Sequence, residues 1–156
     1  MKLKQIISWI AVLLWMGLIF SLSAQPAADS NQLSKGVTKV VIEVVEKVAP
    51  KAELEVRDYN HFIRKNAHFL AYLVLGVLVM QALSFGKGRS ARRNAFIAVI
   101  ICLFYAMSDE VHQLYVPGRG AQLGDVGIDG VGGMVGVGVY QVVRLGLKGG
   151  FGGRKG

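Results

Sequence analysis

Apolar residues fall into four long runs separated by short polar segments. Ile6 to Leu22 is apolar apart from Ser8 and Ser21, and Ala67 to Phe85 is apolar apart from a few polar positions, with His68 and Gln81 near its ends. A third run opens at Ala95 and reaches spanning length only by continuing through Ser108-Asp109-Glu110-Val111-His112-Gln113. The fourth, glycine-rich, runs from about Gly124 to Leu147. Each suits the roughly 20 residues a helix needs to cross a bilayer. The pattern predicts an all-α integral membrane protein: one domain over 1–156, with transmembrane helices over about 5–24, 66–85, 95–115 and 124–146. A cleaved signal peptide is the rival reading of the first run, because Ser21, Ser23 and Ala24 are small residues at its end. The bulky Trp9, Trp15 and Met16 favour a retained span.

The segment 25–65 is too polar to span and reads as an extracytoplasmic loop. Within it Val37, Val40, Val41, Val44, Val45 and Val48 repeat at helical spacing, which predicts an amphipathic helix over 36–49, ended by Pro50. Residues 147–156 read as a flexible tail.

Charge fixes the orientation. The chain carries 18 Lys and Arg against 10 Asp and Glu, a net charge of +8. In a soluble protein that excess would suggest nucleic acid, but here the cations flank the apolar runs. With the N-terminus cytoplasmic, Lys2, Lys4, Lys87, Arg89, Arg92, Arg93, Arg144, Lys148, Arg154 and Lys155 all fall inside, as positive-inside topology requires. Every acid, from Asp29 to Asp129, then falls outside or in the outer half of a span. Both termini are expected in the cytoplasm, and nucleic acid is not an expected partner. The single cysteine, Cys102, lies in an apolar run and reads as a small buried residue.

This orientation brings the ionisable groups of three spans to one depth. Arg64, His68 and Tyr72 share a face of the second span, and Tyr105, Asp109, His112 and Gln113 share one on the third. Asp125 and Asp129 lie one turn apart on the fourth. A charge at the centre of a spanning helix costs about 2.5–3.5 kcal/mol, so such groups need partners, water or a ligand. A shared pocket supplies all three. Gly132 and Gly136 form a G-x-x-x-G pair, expected to pack Asp129 against the third span.

At these residues the sequence resembles the VanZ-like family of bacterial membrane proteins. The resemblance is carried by Arg64-Lys65-Asn66-Ala67-His68-Phe69 with Tyr72, by Ser108-Asp109-Glu110-Val111-His112-Gln113 with Pro117-Gly118-Arg119, and by Asp125-Val126 with Asp129 and Gly133. Phe20-Ser21 to Gln25-Pro26 adds a weaker match. It implies a multi-pass protein of the bacterial plasma membrane, in a family whose name-giving members are linked to teicoplanin resistance and so to the cell envelope. Family membership does not itself settle a reaction.

Three functional readings are open. In the first, the cluster acts on a phosphate-containing lipid or lipid-linked head group at the outer interface, as a phosphoester hydrolase or head-group transferase. His68 or His112 then serves as general base or nucleophile, oriented by Asp109 or Glu110. Arg64, Lys65 and Arg119 hold phosphate, with Gln113, Asp125, Asp129 and Tyr72 completing the binding set. No cofactor follows from the sequence. A metal-assisted variant would draw on His68, Glu110, His112 and Asp129, although no HExxH spacing marks a metal site. The second reading is a non-catalytic envelope protein that binds lipid or a glycopeptide-related ligand. The third is a small transporter or proton relay.

Overall fold

In the computed structural model, residues 2–26, 36, 56–86, 88–120 and 122–152 are described. They form four helices: α1 Lys2–Ser23, α2 Val56–Ser84, α3 Ala91–Gln113 and α4 Leu123–Gly152. All four are long and apolar enough to cross a membrane, over Leu3–Ser23, Arg64–Ser84, Ala91–Gln113 and Leu123–Leu147. The all-helical fold with four spans is as the hydropathy pattern predicts. The amphipathic helix expected over 36–49 falls, Gly36 apart, outside the described residues.

Two helices overrun their expected limits. α2 begins at Val56 and not near residue 66. Nothing in Val56 to Lys65 is a proline or glycine, so the helix that crosses the bilayer continues as a polar extension. α4 continues to Gly152, through the first part of the expected tail. Ser90 caps α3, its hydroxyl accepting from the Arg93 N–H at 3.3 Å.

The bundle is built on α2 and α4, its most extensively packed pair, with α3 against α4 and α1 against α2. Glycine sets this intimacy. A Cβ at Gly132 would fall on the Phe69 carbonyl, one at Gly136 on the Leu73 carbonyl, and one at Gly76 on the Gly133 carbonyl. The G-x-x-x-G pair therefore seats α4 on α2, and not on the third span as its position in the sequence suggested. Contact with α3 comes from Gly133, where a Cβ would sit 2.7 Å from that of Cys102.

Below the polar end, Tyr72, Leu75, Val79, Met80, Cys102 and Val137 fill the bundle axis. α1 is joined to it by two side-chain hydrogen bonds. Trp15 Nε1 donates to the Ala71 carbonyl at 2.8 Å, and the Tyr105 hydroxyl donates to the Met16 carbonyl at 2.5 Å. Large apolar side chains point outward around the bundle, among them Leu14 (70% exposed), Phe96 (69%), Phe104 (66%) and Val142 (71%). Such a belt suits lipid and not water.

Candidate functional site

Ser23, Arg64, Gln113 and Leu123 mark one end of the four spans, and the predicted polar residues converge there. His68 enters from α2, Asp109 from α3 and Asp129 from α4. One ligand-type atom from each lies within 4.8 Å of the others. Asp109 and Asp129 are buried, at 2% and 3% exposure, while the His68 side chain is 24% exposed.

The carboxylate beside His68 is Asp129, with His68 Nδ1 3.6 Å from Asp129 Oδ2. Asp109, one of the orienting groups expected from the sequence, has other partners. Ser23 Oγ donates to its Oδ2 at 2.8 Å, and Gln113 Nε2 donates to the same oxygen at 3.4 Å. Tyr72 is fully buried, with its ring centroid 6.0 Å from that of Tyr105. It lies beneath the cluster and its hydroxyl has no hydrogen-bond partner.

Above the cluster is a cavity of about 120 Å³ lined by Arg64, Lys65, His68, Gln113, Arg119 and Asp125, among others. Lys65 Nζ pairs with Asp125 Oδ1 at 3.0 Å across its rim, linking α2 to the first turn of α4. Arg119 reaches the cavity from the loop between α3 and α4. That loop turns at Gly118, whose φ of 75° is a left-handed value that glycine adopts without strain. Arg119 then donates to the Leu22 carbonyl at 3.4 Å. Burial, and next the neighbouring Arg64 charge, pull the pKa of Arg119 below the usual guanidinium value. Among the described residues, no carboxylate forms an ion pair with Arg64 or Arg119.

Glu110 and His112 stand apart from both the cavity and the cluster beneath it. Glu110, buried, accepts a hydrogen bond from the Gln122 backbone N–H. It thereby anchors the end of the 114–122 loop to α3. His112 stacks on Phe20, ring centroids 4.2 Å apart, between α3 and α1, with Nε2 buried and unpartnered. It does not line the cavity.

Sequence reasoning did not find Ser23. Its signal was its depth: a hydroxyl at the last turn of the first span stands level with Asp109. With Ser23 bonded to Asp109 and Phe20 stacked on His112, α1 is part of the site's framework.

A family model described as VanZ/LLP1 matches residues 8–144, which take in the first three spans almost whole and most of the fourth. No curated protein and no solved structure matches the chain.

Proposed function

The chain belongs to the VanZ/LLP1 family of membrane proteins, and from that premise we propose that it recognises the phosphate of a lipid or lipid-linked head group at the extracytoplasmic face of the bacterial plasma membrane. The observation that carries this reading is that Arg64 and Arg119 line one cavity, near enough for the charge of one to act on the other, without a carboxylate ion-paired to either among the described residues. Two like charges held together cost energy unless something negative joins them. Guanidinium groups suit phosphate oxygens, which they bind bidentately. The positive-inside distribution of cations supports an outside location for this end, at the depth of the head groups.

Size narrows the ligand. About 120 Å³ takes a phosphate and a few attached atoms, but not the body of a glycopeptide. The packed axis of Leu75, Val79 and Met80 beneath Tyr72 argues against a transport path. The reaction class that suits the site is hydrolysis or head-group transfer at a phosphoester. His68, backed by Asp129, is the group at the cavity floor able to take or give a proton.

The test uses purified protein in nanodiscs and a short-chain phosphatidic acid. Binding by the native chain, and an about tenfold or greater loss in an Arg64→Ala, Arg119→Ala double variant, is expected. Equal binding by both proteins refutes the reading. Phosphate release from the bound lipid, abolished in His68→Ala, separates catalysis from binding alone.

A further inference from the structure

We propose that His68, Asp109 and Asp129 form a site for a divalent cation, with its remaining coordination positions open to the cavity above. The proposal deepens the head-group reading and rests on it only for the identity of the outer ligand, a phosphate oxygen or water.

Charge comes first. Asp109 and Asp129 are almost wholly buried. Asp125, the carboxylate on the cavity wall, already has Lys65. A single imidazole faces the two buried carboxylates, and Arg119 directs a donor to a backbone carbonyl. Unpaired charge at this depth is costly. A dication with a neutral imidazole and two carboxylates brings the group to zero.

Geometry agrees. Asp109 Oδ2 is occupied by Ser23 and Gln113, while Asp109 Oδ1 is buried without a hydrogen-bond partner. Asp129 Oδ1 is likewise buried and unpartnered. His68 Nδ1 and Asp129 Oδ2 stand 3.6 Å apart, longer than a good hydrogen bond. Zinc-type bonds of about 2.0–2.2 Å set ligand atoms roughly 3–3.5 Å apart, close to that spacing. The donors come from three different helices held together by glycine contacts and lie within 4.8 Å of one another, so an ion would draw the three side chains inward on a fixed backbone.

The surroundings fit a metal centre that keeps an open position. Three protein ligands with a free site is the usual form of a catalytic divalent centre. Ser23 and Gln113 would fix the Asp109 carboxylate from behind, the role that second-layer hydrogen bonds play around metals. Of the three ligands His68 lines the cavity together with Arg64 and Arg119, so a phosphate held there would lie beside the ion's histidine and the guanidinium groups together. Imidazole and carboxylate without thiolate suit zinc or manganese. With the ion in place His68 is a ligand and no longer the proton acceptor.

The experiment measures the ion by itself. Full-length protein in detergent is stripped with a chelator, dialysed against zinc or manganese chloride, passed through a desalting column and analysed for metal content. The native chain should retain about one equivalent of the preferred ion. His68→Gln, Asp109→Asn and Asp129→Asn should each weaken retention about tenfold or more, while Asn94→Ala, at the other end of the bundle, should keep it. No retention by the native chain, or retention unchanged in all three variants, overturns the proposal. If the variants do not yield monodisperse protein, zinc-edge X-ray absorption of the native chain decides. Imidazole with oxygen donors supports the site, and oxygen donors alone overturn it. Ion retained but phosphatidic acid unbound upholds the cation site and sinks the head-group reading; the reverse does the opposite.

Discussion

The two ends of the bundle each hold a cavity with two arginines, yet they differ in what lies beneath. At one end Arg64 and Arg119 stand over His68 and two buried carboxylates. At the other, Arg89 and Arg144 line a cavity of about 340 Å³ with Ser84, Asn94 and Gln141, and no acid is among its lining residues. The larger cavity has the poorer chemistry. Its buried polar residue, Asn94, donates to the Leu83 carbonyl at 3.2 Å and so secures the turn between α2 and α3. Arginine at a helix end is a topological signal by default. It becomes a candidate ligand-binding group only where other reactive side chains converge beneath it.

The largest expected effect tests the frame that both ends share. Gly136→Leu places a side chain on the Leu73 backbone, where no rotamer change relieves the clash. We expect loss of the folded bundle, read as loss of a monodisperse peak and of protease resistance. Gly138→Ala, with open space around it, should behave as the native chain.

Next come changes that separate the ends. His68→Ala should abolish phosphate release yet leave insertion intact, whereas Arg89→Ala with Arg144→Ala should leave lipid binding at the opposite end within about twofold, in line with the small effects of most surface changes. Loss of lipid binding in the Arg89, Arg144 variant equal to that in the Arg64, Arg119 double variant would erase the distinction between ligand-binding and topological arginines. Reporter fusions at Arg89 and Gly152 should both read cytoplasmic, and either one reading outside would reverse the orientation.

The smallest effect is on stability alone. Asn94→Ala removes the hydrogen bond to Leu83 and should lower unfolding stability by about 1 kcal/mol, seen as a modest drop in Tm. Lipid binding should not change.

The spans were legible because uninterrupted apolar runs admit few alternatives in a bilayer, and the common depth of His68, Asp109 and Asp129 follows from them. What spacing could not supply was rotation. Tyr105, Asp109, His112 and Gln113 share a broad helical face, but that face is divided in the bundle. Asp109 and Gln113 turn to the site, and His112 turns to Phe20. The division depends on how α1 docks, which Trp15 and Tyr105 determine through bonds to distant carbonyls. The start of α2 at Val56 was hidden for another reason: a polar helix carries no hydropathy signal that distinguishes it from a loop.

Cys102, the chain's sole cysteine, is fully buried against Gly133, where α3 meets α4. The protein thus carries its own clock for the opening of that seam. A membrane-permeant maleimide can reach the thiol only while the two helices part, so the labelling rate reads the population and lifetime of an opened bundle without any engineered probe. Because Asp129 lies one turn from Gly133 on the same helix, an occupant that bridges Asp109 and Asp129 would slow that clock, and occupancy at the polar end could be timed from the middle of the membrane.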